Sequence, residues 1–265
     1  MNIVSSDFNF LKPIYCHNLI RLGNKYDGGY ILPKNLIEIS DGLLSFGYGY
    51  DCSFEEDYIL KTNNKVKIYD HTCDYFSLIK IFLKYFKRFL LFRKSITDVK
   101  FHYNKLIKHH NFITSNNVNF FKKKIVKEKK NNHEITINSV LENCRFKNAI
   151  LKCDIEGAEY EIFKNIISFH EIFNCILFEF HEINLNLEKF KKVVKEFSKY
   201  YHIIHLHGNN HDPLINKINI PTTLEISFIK KKFIKELNFV NKFPINGLDQ
   251  PNNPNLKDHE FEFID

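Results

Sequence analysis

Short apolar runs alternate with helix-like amphipathic stretches along most of this 265-residue chain. Six runs are rich in β-branched and aromatic residues, as buried strands are: Gly42–Phe46, Val66–Tyr69, Ala149–Cys153, Cys175–Phe180, His202–Leu206 and Thr223–Ile229. In the stretch Leu187–Tyr201 the apolar residues recur at intervals of three and four, which predicts a helix. Strands that alternate with helices are typical of βαβ units, so we expect an α/β fold around a mostly parallel sheet.

The chain holds no internal repeat and no linker rich in Gly, Ser or Pro, so we expect residues 1–265 to form a single domain. The stretch 73–135 departs from the alternation and is predicted to be a helical insertion or a cap over the substrate. Within it, residues 76–94 are strongly aromatic and place four basic side chains on roughly one face, namely Lys80, Lys84, Lys87 and Arg88. This segment is either a basic helix that touches an anionic membrane or polyanionic substrate, or a crossover helix or cap with its lysines in water. The second interpretation is favoured, because amphipathic helices are ordinary in globular proteins.

Composition excludes several classes of protein. The chain is 44% hydrophobic and 15% aromatic, which supplies enough apolar surface for a core and excludes global disorder. No stretch reaches the roughly 18 consecutive apolar residues of a membrane span, although peripheral membrane contact stays open. The first residues lack the pattern of a secretory signal, and the six cysteines form no CxxC pair. We therefore expect a cytoplasmic protein with reduced thiols.

The chain has a net charge of +7, and most of its basic residues are lysines. Among the 38 basic residues, the only arginines are Arg21, Arg88, Arg93 and Arg145. A protein that reads base edges or clamps many phosphates would use more guanidinium groups, because they bond bidentately. We therefore expect no nucleic-acid partner.

A glycine pair follows the first predicted strand. Gly47 and Gly49 lack side chains, so the backbone there can approach a ligand closely at the carboxyl edge of the sheet. A dinucleotide fingerprint would place a third glycine at position 52, which is Cys52. The cradle for a pyrophosphate is therefore incomplete.

An acid at the end of the next strand adds to this signal. Asp70 lies 21 residues after Gly49, where an acid accepts hydrogen bonds from the ribose hydroxyls of an adenosine. The alternative is an ordinary surface acid or a helix cap. Together, the glycine pair and this acid favour an adenosine cofactor without a diphosphate, which means S-adenosylmethionine and not NAD.

Polar residues also end three later strands. Asp154 and Glu156 follow the third predicted strand, Glu179 and His181 share one face at the end of the fourth, and His207 ends the fifth. Carboxyl ends of neighbouring strands converge on one crevice, so these groups are expected to meet. Carboxylates with imidazole suit Mg²⁺, Mn²⁺ or Fe²⁺. A metal-free network with a histidine base is the alternative.

Several sequence blocks carry a resemblance to a known family. The string LKCDIEGAEYEIF at 151–163 resembles the signature of FkbM-type S-adenosylmethionine-dependent methyltransferases. Similar blocks follow the order of that family along the chain: RLGNKYDGGYILP, SFGYGYDCSFEED, IYDHT, HLHGNN and LDQPNNP. The resemblance implies a class I methyltransferase fold, with a seven-stranded, mostly parallel sheet whose last strand is antiparallel and with helices on both faces.

The resemblance also implies function. It indicates transfer of a methyl group to a hydroxyl in sugar, capsule, lipopolysaccharide or polyketide pathways. The matching cofactor positions are Gly47, Gly49, Asp51 and Asp70, with Asp27 and Gly28. From the positions that metal-using class I methyltransferases share, we expect Asp154, Glu179 and His181 to hold a divalent ion. His207 or Glu156 would then take the proton, and without a metal His181 or His207 would be the base.

The sequence therefore predicts an S-adenosylmethionine-dependent O-methyltransferase that acts on a sugar. The net charge of +7 and the lysines of 76–130 favour a phosphate-bearing, nucleotide-activated sugar, as used for bacterial capsule or surface polysaccharide. Two other classes stay open. One is an NAD-dependent oxidoreductase on the same kind of sheet, and the other is a non-catalytic membrane-associated binding protein.

Overall fold

The computed structural model describes residues 2–264, and its centre is a seven-stranded sheet. In chain order the strands are β1 (Gly42–Phe46), β2 (Lys65–Tyr69), β3 (Val118–Phe121), β4 (Ala149–Cys153), β5 (Phe173–Phe180), β6 (Tyr201–Gly208) and β7 (Leu224–Lys230). Across the sheet the order is β6–β7–β5–β4–β1–β2–β3. Only β7 runs antiparallel to its neighbours in this sheet.

Helices cover both faces of the sheet because adjacent strand residues point to opposite sides. The helices are α1 (Lys34–Ile39), α2 (Ser53–Thr62), α3 (Tyr75–Leu90), α4 (Ile96–Ile113), α5 (Ile137–Glu142), α6 (Glu159–Ser168) and α7 (Leu187–Phe197). Leu44 and Leu151 belong to a core formed with α5, α6 and α7, whereas Leu43 and Ile150 belong to a core formed with α1, α2 and α4. The expected α/β, Rossmann-like class I methyltransferase fold is confirmed.

The predicted elements agree with the observed ones in place, with two corrections. The sequence does not predict strand β3, which lies inside 73–135. It is a short edge strand in which only Val118 is buried, so it lacks the apolar run that marks the other strands. The predicted helix Leu187–Tyr201 ends at Phe197 instead, and Tyr201 begins strand β6. Tyr201 matches the spacing of the apolar residues in the helix, but it is buried in the strand, where its hydroxyl donates to the backbone oxygens of His170 and Phe173.

The segment 76–94 does not pack on the sheet. Helices α3 and α4 form a hairpin in which α4 lies on β3 and α3 packs on α4. Leu78 is the one buried residue within α3. The predicted crossover helix on the sheet is therefore wrong for α3, which lies outside α4, whereas its lysines are exposed as that interpretation expects. The alternative of a cap over the substrate stays a prediction.

Several short elements lie outside the central sheet. The remaining strands are Asn2–Ile3, Leu19–Leu22, Tyr30–Pro33, Lys124–Val126, Glu134–Thr136, Lys242–Phe243 and Phe261–Glu262, and the 3-10 helices are Ser6–Leu11, His170–Ile172 and Lys231–Phe233. Strands near the two ends of the chain pair with each other. Within residues 2–264, none of the helices is sufficiently long and apolar to cross a membrane.

Candidate functional site

A cavity of about 590 Å³ opens at the carboxyl ends of β1, β2 and β4. Ligands bind at this edge in open α/β sheets, because the strand ends and the loops after them leave a crevice there. The lining includes all six positions that the sequence predicts for the cofactor: Asp27, Gly28, Gly47, Gly49, Asp51 and Asp70. Asp154 and Glu156 line the same cavity. The structure thus brings together residues from four separate parts of the chain.

The turn after β1 requires its first glycine. Gly47 has a φ of +82°, and a Cβ atom there would lie only 1.6 Å from the backbone oxygen of Asp154. Gly49 also has positive φ, but nothing lies within 4 Å of the place where its Cβ would be. Tyr48, between them, is buried against α4, where its ring stacks on Phe112 and its hydroxyl lies 3.1 Å from His109 Nδ1. The aromatic residue therefore anchors the turn while Gly49 leaves space for a ligand.

Asp70 holds this turn from the end of β2. Its Oδ2 accepts hydrogen bonds from the backbone N–H groups of Tyr48 (2.8 Å) and Gly49 (3.0 Å). Its Oδ1 accepts from the N–H and hydroxyl of Thr72 and from the N–H of Cys73. Burial alone would raise the pKa of Asp70, but these hydrogen bonds outweigh it and lower the pKa. In this structure Asp70 is an ionised group that organises the glycine turn.

The N-terminus of α2 already holds an anion. Asp51 Oδ1 accepts from the N–H of Ser53 at 3.0 Å, and the first turn also contains Glu55 and Glu56. Asp51 Oδ2 is bonded to Asn24 and lies where a Cβ on Gly28 would meet it at 2.5 Å. Dinucleotide-binding sheets use this helix end for the pyrophosphate. Here Asp51 occupies that position and two more acids lie in the first turn of the helix, which disfavours a diphosphate.

Lys152 is a buried cation in the cavity wall. Its Nζ donates to the backbone oxygen of Gly47 at 3.0 Å and lies 3.8 Å from Glu55 Oε1. Burial lowers the pKa of Lys152, but the charges of Glu55 and then Asp154 outweigh this and raise it overall. Lys152 therefore stays charged and holds the turn through the backbone oxygen of Gly47, whereas Asp70 holds it through two backbone N–H groups.

Sequence reasoning missed part of the lining. His71 and Thr72 follow Asp70 directly, so their place after a strand end was a signal that could have found them. Lys123, Lys124 and Ile125 come from the stretch after β3, where the sequence shows no pattern. These three residues reach the cavity only because β3 pairs with β2.

Beside the cavity, His181 lies among four carboxylates. Its Nδ1 is 3.3 Å from Glu159 Oε1, and its Nε2 is 3.5 Å from Glu156, 3.8 Å from Asp154 and 3.9 Å from Glu179. Burial lowers the pKa of His181, but the hydrogen bond to Glu159 and the charge of Glu179 outweigh it and raise the pKa to about 9. Without a cation in the cluster, His181 is therefore an imidazolium that donates to carboxylates.

The structure groups Asp154 and His181 with a different third ligand from the one that the sequence predicts. One ligand atom from each of Asp154, Glu156 and His181 lies within 4.8 Å of the others, which fits a divalent cation. Glu179, the predicted third ligand, instead accepts from the hydroxyl of Tyr30 (3.2 Å) and the amide of Asn209 (3.0 Å). Burial, followed by the charge of Asp154, raises the pKa of Glu179 well above its ordinary value.

His207 lies away from this cluster. Its side chain is 1% exposed and is held between Asp258 (3.2 Å from Nε2) and Glu225 (3.5 Å from Nδ1). Burial lowers its pKa, but the hydrogen bond to Asp258 and the charge of Glu225 outweigh this and raise the pKa to about 10. A buried, charged imidazole without contact to the cavity is poorly placed to accept a proton from a substrate.

No protein-family model matches the sequence, and no curated protein matches it either. Among solved structures, the chain is similar to a Methanococcus jannaschii fibrillarin pre-rRNA processing protein, with 10% identity, a TM-score of 0.40, and coverage of 74% of this chain and 68% of that one. It is also similar to an rRNA methylase from Streptococcus thermophilus, with 10% identity, a TM-score of 0.40, and coverage of 74% and 91%.

A third similar structure, a point mutant of MtNAS, is in complex with S-adenosylmethionine. Its identity is 10% and its TM-score is 0.32, with coverage of 72% of this chain and 55% of that one. Similarities this weak assign no activity to the chain, and the resemblance to FkbM-type methyltransferases stays a prediction. The function is therefore inferred from this chain's own site.

Proposed function

We propose that this protein is an S-adenosylmethionine-dependent O-methyltransferase that acts on a hydroxyl group of a sugar. One observation carries the proposal. A single cavity joins the glycine turn and Asp70, at the ends of β1 and β2, to Asp154 and Glu156 at the end of β4. Glu156 in turn contacts His181, so a cofactor on the glycine turn would lie next to a cluster of acid–base groups.

The charges of the cavity suit a sulfonium cofactor better than NAD. Asp27, Asp51, Asp154 and Glu156 line it, and carboxylates stabilise a positively charged sulfur. The position that a pyrophosphate would take at α2 is filled by Asp51, which accepts from the N–H of Ser53. This geometry supports S-adenosylmethionine and counts against the NAD-dependent alternative.

The reaction is an in-line displacement. The bond between the methyl carbon and sulfur breaks as a bond from that carbon to the acceptor oxygen forms, and S-adenosylhomocysteine is released. The acceptor hydroxyl gives its proton to a base, and alignment of the two reactants supplies much of the rate. In the absence of a metal, Glu156 is the best-placed acceptor of that proton, because its side chain is 84% exposed and lines the cavity.

Asp154, Glu156 and His181 would hold Mg²⁺, Mn²⁺ or Fe²⁺ in this proposal, and Glu179 would support them from behind. Such an ion would lower the pKa of the acceptor hydroxyl. Three protein ligands would leave positions free for acceptor oxygens. The metal-free alternative keeps Glu156 as the base, while His181 orients it.

Two lysines support a phosphate-bearing acceptor such as a nucleotide-activated sugar. Lys123 and Lys124 line the cavity together with Lys152, but only Lys152 is buried. Lysine binds a diphosphate as a point charge. The acceptor would therefore place its phosphates toward 123–124 and its hydroxyl toward Glu156.

The test is an assay of purified protein with isotopically labelled S-adenosylmethionine and three sets of acceptors: sugar nucleotides, finished polysaccharide and total RNA. We expect S-adenosylhomocysteine and a methylated hydroxyl with sugar nucleotides. Glu156→Gln should reduce turnover, whereas Glu188→Gln, an equally exposed acid on α7, should not. Binding of NADH but not S-adenosylmethionine would overturn the proposal, and methylation of RNA alone would overturn the sugar acceptor.

A further inference from the structure

The hairpin of α3 and α4 exposes a large apolar surface that the proposed reaction does not use. At its tip, Leu90 and Leu91 are more than half exposed and Phe92 is 98% exposed. Phe92 also has a positive φ of 57°, an uncommon conformation for an aromatic residue, and this turn presents its ring to solvent. Large contiguous apolar patches are rare on the surfaces of monomeric proteins, and where they occur they commonly mark a site of interaction with a protein or a membrane.

A stripe along α3 continues this surface. One face of α3 packs on α4, and a second face carries five apolar residues at intervals of three and four: Phe76, Ile79, Leu83, Phe86 and Leu90. All of them except Ile79 are exposed, and Ile79 is half-buried. The helix spans 16 residues, or about 24 Å, so the stripe and the tip form one elongated apolar strip.

Basic side chains border this strip, and acidic ones are absent from it. Residues 75–97 contain six basic residues and no acidic residue. Five of these form no salt bridge within residues 2–264: Lys80, Lys84, Lys87, Arg88 and Arg93. Lys94 alone reaches an acid, Asp98, at 3.9 Å. The unpaired positive charge calls for a negatively charged partner.

The arrangement distinguishes between two occupants of the strip. A second copy of the chain could cover the stripe, because its spacing resembles that of a coiled coil. However, Lys80 and Lys87 lie next to the stripe, and an antiparallel pair of α3 helices would bring these lysines close to their counterparts. An anionic lipid surface avoids this repulsion, since the apolar residues enter the acyl boundary while the lysines contact the headgroups.

We propose that the α3–α4 hairpin binds the protein to membranes that contain anionic lipid, with the apolar strip of α3 and Phe92 inserted into the interface. The site is separate from the cavity, although α3 begins just after His71 and Thr72, which line it.

The test is flotation of the full chain with vesicles of phosphatidylcholine alone and vesicles of equal parts phosphatidylcholine and phosphatidylglycerol. We expect flotation only with the anionic vesicles, and weaker flotation as salt screens the lysines. Changing Lys80, Lys84 and Lys87 to Gln should reduce partitioning on the order of 100-fold. Changing Leu83, Leu90 and Phe92 to Gln should abolish it. All six side chains are exposed, so both variants should retain the wild-type melting temperature.

Matched controls change the same residue types elsewhere. Gln substitutions at the exposed leucines 60, 185 and 237, or at the exposed lysines 61, 192 and 195, should leave flotation unchanged. Sedimentation without lipid tests the other occupant. A wild-type dimer that the apolar variant dissociates, without flotation, would assign the strip to a second copy and overturn the proposal. Failure of the wild-type chain to float, or equal flotation of the lysine variant, would also overturn it.

Discussion

At the scale of single residues, Asp70 has two possible roles that the structure separates. The sequence predicts that its carboxylate binds the ribose hydroxyls, but both of its oxygens already accept hydrogen bonds from Tyr48, Gly49, Thr72 and Cys73. Each carboxylate oxygen accepts about two strong hydrogen bonds. We therefore expect Asp70 to act through the glycine turn and not through the ribose.

A double-mutant cycle between protein and ligand tests this expectation. Asp70→Asn should weaken the binding of S-adenosylhomocysteine by about 1.5–3 kcal/mol, because the turn loses an ionised acceptor. The loss should be the same for the 2′-deoxy analogue of the ligand, since the carboxylate does not contact that hydroxyl. Calorimetry with both ligands on both proteins measures the coupling. If the coupling energy equals the whole loss of binding free energy, Asp70 binds the ribose hydroxyl directly and our expectation is wrong.

At the scale of elements, the ends of β4 and β5 decide which acids meet His181. Glu156 has a positive φ of 54°, and Gly157 follows it at 96°, so the chain turns sharply after β4 and brings the side chain of Glu156 to the imidazole. Glu179 lies within β5 itself, where Tyr30 and Asn209 occupy its oxygens. The turn, and not the strand, therefore supplies the third candidate ligand.

This geometry predicts an order of effects on metal binding. Glu156→Gln should weaken Mn²⁺ binding by about 10- to 100-fold, because it removes a charged ligand, and Glu179→Gln should weaken it less. Electron paramagnetic resonance of free Mn²⁺ measures both, with the exposed Glu188→Gln as control. Treatment with EDTA should abolish methyl transfer, and single additions of Mg²⁺, Mn²⁺ or Fe²⁺ should restore it. Full activity in the chelated enzyme would eliminate the metal site.

At the scale of the whole molecule, the C-terminal segment joins the sheet to the cavity. Asn252 donates to Glu225 on β7 at 2.9 Å and lies 3.1 Å from Asp27, which lines the cavity. Asp258 of the same segment pairs with His207 on β6, as Asp249 pairs with His205. The acids Asp258 and Glu225 raise the pKa of His207, and their buried contacts with it give His207 a structural role.

Stability should therefore depend on pH through His207. Its pKa is about 10 when folded and about 6.5 when unfolded, so folding favours the protonated form. This contribution is fully present below pH 6.5 and is lost as pH rises toward 10. We expect wild type to have a larger free energy of unfolding in urea than His207→Gln at pH 6.5. This difference should shrink as pH rises, by about 1.4 kcal/mol for each unit by which the folded-state pKa exceeds the unfolded one. The exposed His211→Gln serves as control. A difference that is constant with pH would contradict the charged state.

Local sequence pattern predicts six of the seven strands and the edge of the sheet at which the site lies. Short apolar runs mark the buried strands, and the acids and glycines after Phe46, Tyr69 and Cys153 mark the carboxyl ends. The strand order could be expected only through the family resemblance, because a local pattern does not say which strands pair.

Packing between distant parts of the chain determines which polar groups meet. It placed Glu156 next to His181, enclosed His207 between two acids from distant parts of the chain, and left α3 outside α4. The physical reason is that periodicity is a property of neighbours along the chain, whereas a charge cluster depends on backbone turns and on packing between residues far apart in sequence. The sequence pattern of α3 shows that the helix is strongly apolar. The fold shows that Leu78 is buried whereas Phe76, Leu83, Phe86 and Leu90 are exposed to solvent.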